Sequence, residues 1–278
     1  MPIKTQFTII ASSFALGLST LHGGIYSGPT DTAHSIDPAV HYTSSQLVGW
    51  ASSVVDYSPS ATVTSGYDNP ANALGEYNTS LVSLGDLNAT EIAEGKAPGS
   101  ITLGFGSGFT NGAGWDFAVF ENGFNSGNNL FMELAFVEVS SDGINFARFD
   151  SLSTNANQGS AFSYYDTTNV HNLAGKHSGG YGTTFDLSDL SGNQLVLDGL
   201  VDLNSIGYVR LVDIPGNGSY LDSEGNPIYD NWLTTGTGGL DLRGIGYSYA
   251  VPEPANLALT FSTLVLIVAW RRKRTHRA

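Results

Sequence analysis

Short runs of alternating apolar residues, separated by glycine-containing turns, restrict the fold of this chain more than any other feature. Residues 100–105 are an example, because Ile101 and Phe105 alternate with smaller side chains and share one face of an extended strand. No sustained amphipathic helical pattern lies between such runs. The sequence therefore predicts an all-β chain of antiparallel strands.

Six further segments have the same strand character. Residues 117–120 carry apolar side chains in succession, which predicts a strand buried on both faces. The Asp142-Gly143 dipeptide between two apolar runs predicts a hairpin, because its turn needs positive φ angles that these residues tolerate. The further predicted strands are 47–50 or 53–57, 115–121, 136–140, 146–149, 206–214 and 238–247.

The connecting segments complete the predicted layout. Residues 66–75 are expected to form a structured loop, residues 86–97 a short helical turn, and residues 151–183 a long excursion over one end of the strands. Residues 24–46 lack periodicity and are expected to be a loosely ordered lead-in. The body, residues 47–250, is predicted to be one antiparallel β-sandwich of jelly-roll type.

The composition of the body excludes some partners. The chain has no cysteine, so an exported body must fold without disulfides. Residues 24–252 carry 24 acidic and five basic side chains, a net charge of −19. This field repels nucleic acid and anionic membrane surfaces, which excludes both as main partners. It also suits Ca²⁺, which binds through oxygen ligands, although solubility outside the cytoplasm explains the charge equally well.

The N-terminus has the pattern of a secretory signal. Lys4 precedes an apolar run over residues 7–18. Gly17 and Ser19 supply the small residues that signal peptidase requires near its cleavage site. Residues 1–23 are therefore predicted to be a signal peptide that directs the body out of the cytoplasm.

The C-terminus carries a short apolar segment followed by basic residues. Pro254 to Trp270 are seventeen uncharged residues, about 25 Å as a helix, near the lower limit for a bilayer core of about 30 Å. The basic cluster at 271–277 follows directly and is typical of the cytoplasmic side of a membrane helix. Residues 255–270 are therefore predicted to be one transmembrane helix.

A Pro-Glu-Pro motif at 252–254 stands immediately before that helix. With the helix and the basic cluster, residues 251–278 resemble the PEP-CTERM sorting tail of Gram-negative bacteria. The resemblance implies that an exosortase-type membrane protease binds the tail in the inner membrane, removes it, and passes the body to the cell surface or extracellular matrix. The residues that carry the resemblance are Pro252, Glu253, Pro254, Arg271, Arg272, Lys273 and Arg274.

Short motifs in the body carry a second resemblance. They include Phe117-Ala-Val-Phe-Glu-Asn-Gly123, the hairpin at 137–143 and Leu173-Ala-Gly-Lys-His177. The body is similar to a group of bacterial cell-surface proteins of unknown role, whose fold resembles the galactose-binding-like, or discoidin-like, jelly roll. That superfold implies carbohydrate binding, but its sugar-contacting residues vary between families, so the resemblance assigns none to a position here.

One acidic loop near the end of the body is a candidate cation site. Its carboxylate and amide side chains alternate around a glycine and a proline, so their oxygens are predicted to converge on one hard cation such as Ca²⁺. Pro227 stands at the sixth position, where an EF-hand loop has glycine. The candidate ligands in this loop are Asp222, Glu224, Asn226 and Asp230.

A second cation site follows from the jelly-roll resemblance, which implies a structural Ca²⁺ between Asp68 in the first loop and Asp241 in the closing strand. Asp116 and Glu121 flank the strand at 117–120 and are expected to join either site. Bound Ca²⁺ is then expected to raise the melting temperature. The alternative is that all these residues are turn formers and solvated acids.

The long excursion contains candidates for ligand binding. Aromatic rings suit the apolar face of a sugar and polar groups suit its hydroxyls, so this loop predicts a glycan-binding surface. The alternative is that its tyrosines pack over the end of the sandwich. The candidate ligand-binding residues are Tyr164, Tyr165, Asp166, Lys176, His177 and Tyr181.

Common catalytic motifs are absent from the sequence. There is no Gly-x-Ser-x-Gly elbow, no His-Glu-x-x-His zinc motif and no phosphate-binding loop that opens a helix, so no catalytic residue is assigned. The sequence predicts a non-catalytic, exported cell-surface or matrix protein that binds extracellular polysaccharide or has a structural role. The runner-up is a secreted glycan-active hydrolase, which needs two solvent-open carboxylates about 5 to 10 Å apart.

Overall fold

The computed structural model describes residues 24–252. Regular structure in them is mostly β-strand, and every ladder between strands is antiparallel. The strands in chain order are β1 (Ala39–His41), β2 (Gly49–Trp50), β3 (Ser53–Ser58), β4 (Val82–Ser83), β5 (Ser100–Phe109), β6 (Phe117–Phe120), β7 (Phe124–Ser126), β8 (Asn129–Phe131), β9 (Ala135–Ser140), β10 (Ala147–Arg148), β11 (Leu152–Ser153), β12 (Tyr165–Asp166), β13 (Val170–His171), β14 (Tyr181–Phe185), β15 (Ile206–Asp213), β16 (Asn217–Leu221), β17 (Pro227–Tyr229), β18 (Asp241–Leu242) and β19 (Gly244–Tyr247). The prediction of an all-β, antiparallel chain is confirmed.

Helical structure in these residues is limited to short turns. The helix α1 (Ala89–Ala93) begins after Asn88, which forms a reciprocal capping box with Glu91. Each of these two residues accepts a hydrogen bond from the backbone N–H of the other, at 3.1 and 3.0 Å. The capping box explains why a helical turn forms within residues 86–97, as predicted. The other helical turns are α2 (Gln194–Leu197) and the 3₁₀ turns Pro70–Ala73, Thr167–Asn169 and Leu187–Leu190.

Two five-stranded sheets contain most of the longer strands. One sheet has the strand order β1-β14-β6-β19-β2, and the other has the order β10-β9-β15-β5-β3. In the second sheet, Arg210 of β15 lies opposite Glu138 of β9, and Arg148 of β10 lies opposite the same glutamate. Glu138 accepts hydrogen bonds from both arginines, so cross-strand charge pairs support the register of three neighbouring strands.

One apolar core contains side chains of both sheets. The ring of Phe117 in β6 lies 5.4 Å, centroid to centroid, from the ring of Phe109 in β5 of the other sheet. Phe185 of β14 stacks on Phe117 at 5.1 Å. These rings are buried together with aliphatic side chains of β9 and β15. The two sheets therefore share a single hydrophobic interior.

The prediction that residues 117–120 form a strand buried on both faces is confirmed. The strand β6 lies between β14 and β19 in the middle of its sheet. Phe117 and Val119 belong to the main core, whereas Ala118 and Phe120 belong to a smaller cluster on the opposite face. Because β6 is enclosed on both faces, Glu121, which follows it directly, lies inside the protein.

The predicted hairpin is also confirmed, since Asp142 and Gly143 join β9 to β10. Gly143 has a φ angle of 75°, a left-handed conformation that glycine adopts without steric cost. Asp142 accepts hydrogen bonds from the backbone N–H groups of Ile144 and Asn145, each at 2.8 Å. Both residues of the dipeptide therefore contribute to the turn.

Residues 24–46 are more ordered than the sequence suggests. The strand β1 lies at the edge of the first sheet and pairs with β14. Asp37 accepts a hydrogen bond from Lys176 at 2.5 Å, and both side chains are buried. A strand of three residues is too short for alternation to reveal, and this ion pair joins residues 139 positions apart. Neither feature is visible in the local sequence.

Strands of the excursion and of the closing segment also form small sheets of their own. The strand β12 of the excursion pairs with β8, and β8 also pairs with β7. The strand β18 pairs with β4, which places Asp241 opposite Ser83. These ladders bring β7, β8, β18 and the end of β6 to one region, where the candidate site lies.

No helix within residues 24–252 is long and apolar enough to cross a membrane. The predicted signal peptide (1–23), the transmembrane helix (255–270) and the basic cluster (271–277) lie outside the described residues. Their assignments stay predictions.

Replacing Phe117 by alanine is expected to lower the free energy of unfolding by about 3 to 5 kcal/mol, because it removes a fully buried ring shared by both sheets. The control is Ile144→Ala at the hairpin tip, where the side chain is 81 % exposed and a change below about 0.5 kcal/mol is expected. Urea unfolding followed by circular dichroism measures both. Equal losses in the two variants would contradict a shared core centred on Phe117.

Candidate metal centre

Three buried carboxylates converge near strand ends. Glu121 follows β6 directly, Glu133 lies two residues beyond β8, and Asp241 is the first residue of β18. One oxygen from each side chain lies within 4.8 Å of those of the other two. These three residues are called the carboxylate triad below.

The triad is almost completely removed from solvent. Glu121, Glu133 and Asp241 are 2 %, 4 % and 2 % exposed. The Oδ1 atom of Asp241 is buried and has no hydrogen-bond partner. A buried carboxylate oxygen without a partner is costly, and native proteins normally satisfy such atoms. A cation held among the three carboxylates would give this oxygen a partner.

A tight turn after β6 fixes the first member of the triad. Glu121 accepts a hydrogen bond from the backbone N–H of Gly123. A Cβ atom at position 123 would lie 3.0 Å from the Glu121 carboxylate and 3.1 Å from the carbonyl oxygen of Phe131. Glycine is therefore the residue that lets the chain pass this close to the carboxylate.

A single hydroxyl links the triad to a fourth buried acid. Thr234 Oγ1 lies 2.7 Å from Glu133 Oε1 and 2.8 Å from Asp86 Oδ2. A hydroxyl has one proton, so Thr234 donates to one carboxylate and accepts from the other only if that carboxyl is protonated. The arrangement without a cation therefore favours a proton on this pair.

Burial and mutual repulsion disfavour ionisation of the three carboxyl groups of the triad. Burial raises the pKa of Asp241 to about 7. Burial, with the negative charge of Asp241, raises the pKa values of Glu121 and Glu133 well above their usual range. Two unit charges 4.8 Å apart repel by about 3 kcal/mol at an effective dielectric constant of about 20. Protons or a cation must offset this repulsion near neutral pH.

Three more buried acids surround the triad. Burial raises the pKa of Asp86 to about 6, and it raises the pKa values of Asp213 and Asp230 well above their usual range. Asp213 Oδ2 is a second buried carboxylate oxygen without a partner. Arg243 is the base whose charge favours ionisation of the triad, and it acts on Glu121 and Asp241. One arginine faces six acids in this region.

A cavity of about 190 Å³ opens over the triad. Its lining includes three phenylalanines, of which Phe124 and Phe131 stack with ring centroids 4.8 Å apart. The third, Phe162, lies 6.2 Å from Phe131. Phe124 is 52 % exposed and Phe162 is 79 % exposed. These three rings, called the aromatic rim below, line the cavity together with the triad, and two of them, Phe124 and Phe162, are open to solvent whereas Phe131 is buried beneath them.

The donor set fits a hard divalent cation. The triad offers only carboxylate oxygens, which Ca²⁺ prefers, whereas zinc sites usually contain histidine or cysteine. Oxygens within 4.8 Å of one another can share one Ca²⁺ at Ca–O distances of about 2.3 to 2.6 Å. Asn122 and Thr237 line the same cavity and add oxygen atoms near the triad.

The structure brings together Glu121 and Asp241, both predicted as metal ligands, and adds Glu133, which the sequence analysis missed. Glu133 stands between Met132 and Leu134 in an otherwise apolar run. A single carboxylate within an apolar run indicates a buried acid, and a buried charge needs a partner, so the sequence does contain a feature from which Glu133 could be predicted. One partner, Glu121, stands twelve residues earlier, and the other, Asp241, stands 108 residues later in the chain.

Asp68 and Asp116, the other residues of the implied calcium site, lie outside the triad. Asp68 is exposed and accepts a hydrogen bond from the backbone N–H of Gly66 at 3.0 Å. Asp116 is buried and accepts from the backbone N–H groups of Gly112 and Leu187, each at 2.7 Å. These bonds stabilise the adjoining loops.

The acidic loop between β16 and β17 forms a hairpin turn in which the four predicted ligands do not converge. Asp222 accepts from the backbone N–H groups of Glu224 and Asn226, at 3.0 and 2.8 Å. Both of those residues are exposed. Asp230 is buried and accepts from the backbone N–H of Leu134 at 2.6 Å. The alternation of these residues reflects turn geometry, because local hydrogen bonds already use the Asp222 oxygens.

The predicted ligand-binding residues of the excursion have different surroundings. Tyr164 is 46 % exposed. Tyr165 is buried and donates to a backbone carbonyl at 2.7 Å, and Asp166 accepts from a backbone N–H at 2.9 Å. Tyr181 packs against His41, with ring centroids 5.1 Å apart. Tyr164 therefore offers the most open aromatic surface of this set.

Lys176 and His177 lie inside the protein rather than on the predicted binding surface. Lys176 pairs with Asp37, and burial lowers the pKa of this lysine. His177 hydrogen-bonds the hydroxyls of Ser27 and Thr183, at 2.9 and 3.0 Å, and burial lowers its pKa as well. Both side chains can be buried because each has a polar partner, and together they hold residues 24–46 against the excursion.

No protein-family model matches this chain, and no curated protein matches its sequence. The function is therefore argued from the triad, the cavity and the charge of the body.

The stability of the protein in chelator is expected to fall as pH rises from about 4 to about 7. A carboxyl group whose pKa is higher in the folded protein than in the unfolded chain stabilises the fold at pH values below its unfolded pKa. This contribution is lost as the pH rises through the pKa of the folded protein. The pKa rises from 3.8 to about 7 for Asp241 and from 3.8 to about 6 for Asp86. Thermal melts across this pH range measure the effect.

Asp241→Asn is expected to reduce that pH dependence, because it removes one of the titrating groups. The control is Asp142→Asn, because backbone N–H groups of the hairpin hold the pKa of Asp142 below its usual range and outside this pH window. A melting temperature that rises between these pH values in chelator would contradict the raised pKa values of the cluster.

Proposed function

We propose that this chain is an exported cell-surface or extracellular-matrix protein whose body is a jelly-roll β-sandwich. Its carboxylate triad holds a structural Ca²⁺, and the body binds glycan or has a structural role, without catalysis. The observation that carries the proposal is the triad, which combines three carboxylates at most 4 % exposed with an orphaned oxygen and lines an open cavity.

The sandwich architecture is supported by the arrangement of the two five-stranded sheets. Both are antiparallel, and their side chains meet in one apolar core. Short strands and long connections at the sheet ends are typical of jelly rolls. Loops at such ends are where sandwich proteins commonly carry binding sites, and the triad lies among such connections.

The cation would join chain segments that are far apart in the sequence. Glu121, Glu133 and Asp241 belong to three different strand ends, so one ion would tie these ends together. Binding to the folded state alone stabilises that state by mass action. This suits an exported chain that has no cysteine for disulfides.

The two ends of the chain support the proposed export and localisation. An apolar signal at 1–23 and a tail that resembles PEP-CTERM at 251–278 favour export, transient anchoring in the inner membrane and processing by an exosortase-type protease. Nearly half of the basic residues lie in the tail, so its removal leaves the body at a net charge of −19. Extracellular polysaccharide is the partner that fits this location, whereas nucleic acid does not fit this charge.

A secreted glycan-active hydrolase is the second candidate, because carboxylates within 4.8 Å resemble the spacing of about 5 Å in retaining glycosidases. The arrangement of the triad argues against a hydrolase. Its three carboxylates converge on one point, whereas a glycosidase places two carboxylates on either side of the glycosidic bond. Burial also raises the pKa of all three carboxyls, so none of them is the ionised nucleophile that a retaining hydrolase needs. Release of reducing sugar from polysaccharides, lost in Glu133→Gln, would favour the hydrolase.

Adding Ca²⁺ to the full-length chain in mild detergent is expected to raise its melting temperature by several degrees, because the ion offsets repulsion among buried carboxylates. Excess chelator is expected to reverse the shift. Differential scanning fluorimetry at pH values above 7 measures it.

The variant Glu133→Gln tests the assignment of the ion to the triad and is expected to lose most of the Ca²⁺-dependent shift. Its matched control is Glu224→Gln, which makes the same chemical change at an exposed position of the β16–β17 turn. A shift that survives in Glu133→Gln and disappears in Glu224→Gln would place the ion in the acidic loop instead.

Mass spectrometry of the protein recovered from the surface of its native host tests the proposed processing and localisation. The mature C-terminus is expected to lie near Pro252-Glu253-Pro254, with residues 255–278 removed. Replacing the basic residues 271–274 by glutamine is expected to reduce processing, because the positive cluster orients the helix. Recovery of only the full-length chain in the inner membrane would contradict the proposal.

A further inference from the structure

We infer that the cation in the carboxylate triad binds sugar directly, taking two adjacent hydroxyls of a neutral terminal hexose whose ring packs on the aromatic rim. This inference rests on the proposed function, in which Ca²⁺ occupies the triad, and it gives the ion a ligand-binding role in addition to a structural one. It also assigns the binding site to residues outside the excursion tyrosines.

The aromatic rim is the first observation. Phe162 and Phe124 are 79 % and 52 % exposed, although large apolar rings are usually covered in a folded protein. Phe124 pairs with Phe131 across the β7–β8 hairpin, so its position is set by a ladder rather than by a free loop. Open and fixed rings beside a polar cavity suit a sugar, because one face of a hexose is apolar.

The coordination needs of the ion are the second observation. Ca²⁺ takes about six to eight oxygen ligands, more than three carboxylates supply unless all are bidentate. Glu121 and Glu133 each use one oxygen for a hydrogen bond, to Gly123 and Thr234. Asn122 and Thr237 can supply two of the remaining oxygens, and two adjacent sugar hydroxyls in the cavity can supply two more.

The size of the cavity suits a single sugar unit at the end of a glycan. Its volume of about 190 Å³ is below the roughly 300 to 1,000 Å³ of pockets that enclose whole drug-sized ligands. One sugar unit can enter while the rest of the chain stays outside. The site is therefore expected to recognise a terminal residue rather than the middle of a polysaccharide.

Charge selects a neutral sugar. The body has a formal net charge of −19. An anionic sugar such as a uronate would approach against this field. A cationic ligand would suit the same acids and rings by cation–π contact, but it would compete with Ca²⁺ instead of requiring it. The dependence on Ca²⁺ therefore separates the two ligand classes.

The test is ligand-observed NMR on the full-length chain in mild detergent, with methyl β-galactopyranoside and methyl α-mannopyranoside as probes. At least one probe is expected to bind in Ca²⁺ and to be released by chelator. Phe162→Ala is expected to weaken binding about fivefold or more, through loss of ring stacking. Tyr164→Ala is the matched control, since Tyr164 is 46 % exposed in the same loop but does not line the cavity.

Each other outcome overturns the inference in a distinguishable way. If Ca²⁺ raises the melting temperature through Glu133 but neither probe binds, the ion is structural only and that part of the proposed function stands. If a probe binds equally in chelator, or is lost in Tyr164→Ala and kept in Phe162→Ala, glycan binding stands but lies elsewhere. If choline binds in chelator and Ca²⁺ displaces it, the cavity takes a cationic ligand.

Discussion

Like charges can be buried together only if something offsets their repulsion, and the carboxylate triad imposes this condition on the fold. Glu121, Glu133 and Asp241 bring oxygens within 4.8 Å of one another, each with an exposure of at most 4 %. Glu121 follows a strand of one five-stranded sheet, whereas Glu133 and Asp241 lie at strands of two smaller sheets, so three separate ladders bring the triad together. A proton or a cation must therefore accompany folding at this point.

Two other buried acids in the described residues are neutralised by bases of the protein. Asp37 is paired with Lys176, and Glu138 is paired with Arg148 and Arg210. In the triad the arrangement is different. Arg243 is near, but its guanidinium donates to Asn122, and its Nε atom is buried without a partner. Asp37 and Glu138 thus have basic partners, whereas no salt bridge in the described residues includes a member of the triad, which suits an external cation.

The sequence predicts the strands better than the site. Alternation and continuous apolar runs identify β5, β6, β9 and β15, because face periodicity is a local property, and the Asp142-Gly143 turn follows from its φ requirements. β1 is missed, because three residues carry too little pattern. The sequence indicates Glu121, because it flanks a buried strand, and the jelly-roll resemblance implies Asp241, but their convergence with Glu133 depends on three ladders that no local pattern specifies. The buried pair of Lys176 with Asp37 escapes prediction for the same reason.

The most direct test of the central claim is a crystal structure of the protein grown with Ca²⁺, in which anomalous scattering locates the ion. We expect one ion bound by Glu121, Glu133 and Asp241 at oxygen distances of about 2.3 to 2.6 Å, with coordination positions open to the cavity beside the aromatic rim. Three carboxylates hydrogen-bonded to one another with no ion between them, or an ion held only by the Asp222 turn, would contradict it.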